Sequence, residues 1–204
     1  MGGALARRLQ LTHPLRLYDL NPQAVARMVE AGATACASLA ELAAGCNIIF
    51  LCLPKSEHVR AAIFGPDGLA PALKPGTLLV DQTTGDPKAT REMAAELAPR
   101  GVTLIDAPVS GGAAGAKAGT IAIMLGAEEA ERARIAPILA AISPNVFHAG
   151  GVGTGQAMKL VNNLVSGAQR LLSMEGLALA AKSGIAPERA LQIWQQSDGH
   201  HIMI

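Results

Sequence analysis

The chain has 204 residues, half of them apolar and 16% charged, which suffices for one large domain or one domain and part of another. A net charge of +1 gives no electrostatic footprint for nucleic acid or for an acidic membrane surface. Aromatic residues are only 2%, so the core must be built from Ala, Leu, Val and Ile, and no uninterrupted apolar run reaches the roughly 18 residues of a membrane span.

Three cysteines, Cys36, Cys46 and Cys52, are odd in number and lack CxxC spacing. They read as reduced, buried thiols of a cytoplasmic protein, not as a disulfide frame or a zinc site. The histidines show no metal-ligand spacing, so no metal is expected, and His200-His201 earns no site.

In chain order, Met1-Gly2-Gly3-Ala4-Leu5 opens directly as a helix, with no strand before it. Leu15 to Asp19 predicts a short strand ending in an acid, and Asn21-Pro22 starts a helix. A short strand at Ala33 to Cys36 and a helix capped by Ser38 follow. Asn47 to Leu53 is a buried strand closed by Pro54, and Ser56 starts the next helix. Thr77 to Asp81 is a strand ending in an acid, Pro87 opens a helix to Ala98, and Val102 to Asp106 is again a strand. Thr120 to Leu125 predicts a strand, Glu128 to Ala141 a helix, and Asn145 to His148 a last strand. Gly112 to Gly119 is rich in small residues, which leaves a flexible turn between strands as an alternative there. From Thr154 a helical period runs to about Lys182, stops at Ser183-Gly184 and restarts after Pro187.

Strands alternating with helices predict βαβ units and a largely parallel, twisted sheet. Ligands bind such sheets at the carboxyl ends of the strands. Asp19, Leu53-Pro54 and the Asp81-Gln82-Thr83-Thr84 loop all fall there, which favours a nucleotide site. Asp19 is either a ribose-binding carboxylate or an ordinary capping acid, and taken alone the two readings weigh equally. Gly2 and Gly3 by themselves make no motif. In Asp106-Ala107-Pro108-Val109-Ser110-Gly111-Gly112, a serine and two glycines could form a nest of N–H groups for a carboxylate; a plain turn is the alternative. Lys159 and Asn163, four residues apart on an otherwise apolar helix, share one face. A lysine held among apolar side chains has its pKa lowered towards the range useful for acid–base work, whereas a lone lysine that snorkels into water is the commoner case.

Together these residues resemble the β-hydroxyacid dehydrogenase family, in several parts, in order and over essentially the whole chain. Met1-Gly2 is similar to the tail of the family's GxGxMG cofactor loop, and Leu53-Pro54 to its Leu-Pro turn. His58 stands where a further cofactor contact often falls, and Asp81 to Pro87 resembles the D-x-S/T-T-x-x-P segment, with Thr84 on the nicotinamide side. Asp106 to Gly112 matches DxPVSGG, and Gly153 to Asn163 matches GxGxxxKxxNN.

The resemblance implies a Rossmann-type parallel sheet with helices on both faces, over residues 1–151 and short of its first strand. A long interdomain helix and the start of an all-α domain would follow over 152–204. It implies hydride transfer between NAD(P) and a small β-hydroxy acid, 3-hydroxyisobutyrate-like, or the matching semialdehyde. Lys159 would be the general acid–base group, Asn163 would orient the substrate, and Ser110, Gly111 and Gly112 would hold its carboxylate. Met1, Gly2, Asp19, Leu53, Pro54, His58 and Thr84 would contact the cofactor, with NAD preferred over NADP because of Asp19. A homo-oligomer is expected, and both ends suggest a piece of a longer protein. Imine reductases on the same scaffold usually replace the lysine, which is retained here; a non-catalytic cofactor-binding or oligomerisation piece is the remaining alternative.

Overall fold

The computed structural model describes residues 1–197. His200, His201 and the last residues of the domain expected over 152–204 lie outside the described residues. In order, the elements are α1 (Gly2–Gln10), β1 (Arg16–Leu17), α2 (Pro22–Val29), β2 (Thr34–Ala35), α3 (Leu39–Gly45), β3 (Ile48–Leu51) and α4 (Ser56–Phe64). There follow β4 (Leu78–Asp81), α5 (Pro87–Leu97), β5 (Thr103–Asp106), β6 (Val109–Ser110), α6 (Gly112–Ala118) and β7 (Ala122–Gly126). The chain continues through α7 (Glu129–Ile142), β8 (Val146–Gly150), α8 (Thr154–Lys182) and α9 (Pro187–Gln195).

Local chemistry sets three of the helix starts. The Asn21 side chain accepts from the Gln23 and Ala24 amides, Ser38 from Glu41 and Asp86 from Lys88, and proline follows Asn21 and Asp86 at the first helical position.

β3, β4 and β5 run parallel, with Asp81 and Asp106 in register at their carboxyl ends. Every residue of β4 is buried, as a strand covered on both faces requires. Alternation along the strands sorts the apolar residues into two cores. Leu78, Val80 and Ile105 pack with α1, α6 and α7 residues such as Leu5, Ala116 and Leu139. Leu79 and Leu104 pack on the other face with Val59, Ile63, Met93 and Leu97 of α4 and α5. Helices therefore cover both faces of the sheet, as expected for the Rossmann type.

The sheet is largely parallel, as expected, with one reversal: β7 pairs antiparallel with both β5 and β6 before β8 joins it in parallel. The stretch Gly112 to Gly119, for which a flexible turn is the alternative in the sequence, forms the helix α6, begun by Gly111 (φ +133°) and closed by Gly119 (φ +73°). Its Gly and Ala residues carry no hydrophobic period to read; burial of Ala116 in the core and contact with α1 decide it. Strand β1 is two residues long and pairs only with β2, so these two form a separate sheet.

The chain forms two compact units, Met1–Lys159 and the residues from Leu160 onward. The second holds most of α8 and all of α9, where Gly176 lies against the Trp194 ring. Among the described residues no helix is long and apolar enough to cross a membrane.

Candidate functional site

The carboxyl edge of the sheet in the first unit is held by a continuous run of hydrogen bonds. It begins at α1. Gly2 sits so close to the end of β3 that a Cβ there would lie 3.3 Å from the Cys52 Cβ, and its amide donates to the Cys52 thiol. Burial pushes that thiol up from its ordinary pKa. The α1 N-terminus has no side-chain cap, and a Cβ on Gly3 would meet nothing within 4 Å. An uncapped helix start beside open space at the carboxyl edge of a parallel sheet suits an anionic group. These residues fit the pyrophosphate of a dinucleotide.

From β3 the run passes to β4. The Leu53 amide donates to Thr83 Oγ1 at 3.0 Å, and the Thr83 amide donates to Asp81 Oδ1 at 2.9 Å. Asp81 is 1% exposed, and its Oδ2 has no hydrogen-bond partner among the described residues. Burial chiefly pushes its carboxyl up to about 6; Thr83 pulls it down and the neighbouring Asp106 pushes it further up.

The next link reaches α8. Gln156, fully buried, accepts from the Gly85 amide at 2.8 Å and donates to the Thr83 carbonyl at 2.7 Å. Asp106 caps the helix: the Gly153 amide donates to its Oδ1 at 2.6 Å and the Gln156 amide to its Oδ2 at 2.7 Å. Burial raises the Asp106 pKa, and these amides pull the other way. The glycines of GxGxxxK are steric requirements. Gly153 has φ +88°, and a Cβ on Gly155 would run into the Met124 carbonyl and lie 2.9 Å from both Gly126 N and Asp106 Oδ2. Gly126 in turn leaves room for the Asp106 carboxylate, which a Cβ would meet at 2.5 Å.

Lys159 follows one turn later, still in the first unit. It is only 8% exposed, and its ammonium makes no hydrogen bond or ion pair among the described residues. Burial lowers its pKa from the ordinary lysine value. This differs from a snorkelling surface lysine and leaves an amine able to lose its proton more readily. Asn163, four residues on, is exposed and belongs to the second unit.

Gly2, Leu53, the Thr83–Gly85 loop that carries Thr84, and the first turn of α8 are thus joined by hydrogen bonds or close contact. Thr84 itself is exposed, Pro54 is exposed and Leu53 is half-buried. Asp19 lies exposed just past β1 and accepts from the Asn21 amide at 2.8 Å; Asn21, not Asp19, caps the helix that follows, and no hydrogen bond among the described residues engages the other Asp19 oxygen. His58 is exposed on α4, with Nδ1 3.8 Å from Glu57 Oε1, and stands apart from the run. Ser110 ends β6 opposite Ala122, and Gly111 (φ +133°) and Gly112 (φ +67°) make the turn into α6. Sequence reading gave no role to Gln156 or to the carboxylate of Asp106. The only signal for either is a polar residue inside an apolar pattern, which does not say what it bonds to.

A strand edge that presents a helix N-terminus and an adjoining long helix defines a dinucleotide-binding α/β protein with a candidate acid–base lysine. Comparison with known proteins narrows this. Residues 1–151 match the family model of the NAD binding domain of 6-phosphogluconate dehydrogenase, and residues 153–204 that of the NAD-binding domain of NADP-dependent 3-hydroxyisobutyrate dehydrogenase. The chain is 41% identical over 182 residues to 2-(hydroxymethyl)glutarate dehydrogenase of Eubacterium barkeri, covering 89% of this chain and 60% of that one. It is 38% identical over 200 residues to 3-hydroxyisobutyrate dehydrogenase of Pseudomonas aeruginosa, covering 98% of this chain and 67% of that one. The structure of Mycobacterium tuberculosis 3-hydroxyisobutyrate dehydrogenase with L-serine superposes with a TM-score of 0.88 at 32% identity, over 98% of this chain and 68% of that one. The chain belongs to the β-hydroxyacid dehydrogenase family and spans about 60–67% of the length of these two curated relatives.

Proposed function

We propose that this chain supplies the cofactor domain and acid–base lysine of an NAD(P)-dependent oxidoreductase. Its substrate would be a small β-hydroxy acid, 3-hydroxyisobutyrate-like, or the matching semialdehyde. The observation that carries this reading is Lys159: an amine 8% exposed, without a hydrogen-bond or ion-pair partner among the described residues, on a helix turn bound to the carboxyl edge of the sheet. A bound nicotinamide supplies the hydride acceptor in oxidation and the hydride donor in reduction. As hydride leaves the β-carbon, the neutral Lys159 amine takes the hydroxyl proton, and in reduction its ammonium returns that proton to the new alkoxide. Burial, which lowers the lysine pKa, favours the neutral base.

The other site residues have matching tasks. Ser110 and the amides of Gly111 and Gly112 hold the substrate carboxylate, and Asn163 orients the hydroxyl. Met1 and Gly2 at the α1 N-terminus, Leu53-Pro54, His58 and Thr84 line the cofactor. The Asp19 carboxylate binds the ribose hydroxyls and favours NAD. The cofactor domain is assigned to residues 1–151 and a helical region to 152–204. The compact units divide eight residues later, at Lys159, because Asp106 and Gln156 tie the first turn of α8 to the sheet. Self-association into a dimer or tetramer belongs to the same reading.

The test is hydride transfer, followed at the nicotinamide absorbance with a panel of β-hydroxy acids, in the full-length protein that carries this chain. Lys159→Ala is expected to lower kcat/KM by about 10²–10⁴. Undiminished activity would remove the lysine from the mechanism. Calorimetry with the two cofactors is expected to show tighter binding of NAD, and Asp19→Ala to erase the preference.

A further inference from the structure

We infer that Gln156 is a positioning residue, whose side-chain amide fixes the register between the Thr83–Gly85 loop and Lys159. The inference rests on the reading of Lys159 as the acid–base group. Gln156 is fully buried, so its side-chain amide must find partners inside the protein or leave buried polar groups unpaired, which is destabilising. Both partners come from one loop. The Gly85 amide donates to Oε1 and Nε2 donates to the Thr83 carbonyl, so one side chain reads a donor and an acceptor on either side of Thr84. The Gln156 amide meanwhile donates to Asp106 Oδ2, so the residue is anchored to the ends of two adjacent strands, β4 and β5.

The loop has little freedom to give. A Cβ on Gly85 would lie 2.5 Å from Ser56 Oγ and 3.5 Å from Gln156 Nε2, and Ser56 Oγ also accepts from the Asp86 amide at 2.8 Å. Lys159 is three residues beyond Gln156 and so projects from the same side of α8. Among the described residues it has no hydrogen bond of its own to hold it. Its placement is therefore inherited from the turn that Gln156 and Asp106 fix. An apolar residue of equal size could fill the same volume, but it would not fix which way the loop carbonyl and amide face.

Two variants test this. Gln156→Leu keeps the volume and removes both bonds. Gln156→Glu in its protonated form has the same shape and the same donor and acceptor, and loses the donor when it ionises. The first readout does not need activity. Lys159 is competitively acylated in the ligand-free protein across pH and quantified by mass spectrometry, with the exposed Lys55 and Lys88 as internal references. In Gln156→Leu the Lys159 labelling midpoint is expected to move up towards those references, with kcat down about tenfold to a hundredfold and KM for the hydroxy acid changed less than twofold. In Gln156→Glu the rate relative to wild type at the same pH is expected to fall as pH rises. An unchanged Lys159 midpoint in a folded Gln156→Leu protein overturns the proposal and leaves Gln156 as core filling. Should Gln156→Leu not fold, the Glu variant decides: a ratio to wild type that is flat with pH overturns the proposal. Activity surviving in Lys159→Ala would instead remove the functional reading, while the labelling experiment still reports whether Gln156 governs Lys159.

Discussion

Two aspartates at equivalent ends of β4 and β5 do different work because their surroundings differ. Asp106 spends both oxygens on amides at the start of α8, where a negative charge also meets the positive end of the helix dipole. Asp81 has one oxygen on the Thr83 amide and the other buried without a partner among the described residues. Its carboxyl is therefore raised from 3.8 to about 6, chiefly by burial. Because the folded protein holds this proton more tightly than the unfolded chain, the contribution is stabilising below pH about 4. It is lost as pH rises through about 6, a change of about 3 kcal/mol. Asp81→Asn keeps an acceptor for the Thr83 amide and cannot ionise. It is expected to be more stable than wild type at pH 8 by up to about 3 kcal/mol, with the gain vanishing near pH 4, as read from urea midpoints. A difference independent of pH would show that Asp81 is not the titrating group. The sequence marks both acids as strand ends; it cannot say which one finds partners, since those partners lie in residues up to 50 positions away.

At the scale of elements, the helices announced by local signals are the ones that sequence reading located well. Ser38, Asn21-Pro22 and Asp86-Pro87 act within three residues of themselves, so their effect is written locally. Helix α6 and strand β6 are not written that way, and for β7 the strand at Thr120 to Leu125 is legible but its antiparallel direction is not. These features come from pairing and packing with distant strands and helices. The start of α8 shows both kinds of information. Its glycines are visible in the sequence, but only the packing explains Gly155, whose Cβ position is taken up by the Met124 carbonyl and the Gly126 amide. Backbone atoms cannot give way as a side chain can. Gly155→Ala is accordingly expected to cost about 1–3 kcal/mol in urea unfolding, despite alanine's better helix propensity. It should also raise the accessibility of Lys159 to acylation. A neutral or stabilising outcome would mean that the helix start shifts freely.

For the whole molecule, the unusual property is the apolar surface of α8 beyond the sheet. Leu164 is 72% exposed, and Leu171, Leu172, Met174 and Leu179 are each between 63% and 67% exposed. Exposed apolar side chains at this density along one helix suit an interface. The chain is expected to self-associate, with a sedimentation coefficient that rises with concentration, and Leu164→Glu with Leu172→Glu is expected to suppress the rise. A monomer at all concentrations would exclude this face as a self-association surface. By itself the sequence determined the alternation of strands and helices, the long helix from Thr154 to Lys182, and the ordered motifs that identify the family. Those depend on hydrophobic period, caps and residue spacing, which are properties of neighbouring residues. Tertiary structure alone decided that Lys159 is buried rather than snorkelling, that Asp106 and Gln156 fasten its helix to the sheet, and that β7 reverses direction. Each of these depends on which distant groups come within bonding distance, and burial and hydrogen-bond satisfaction exist only once the chain has folded.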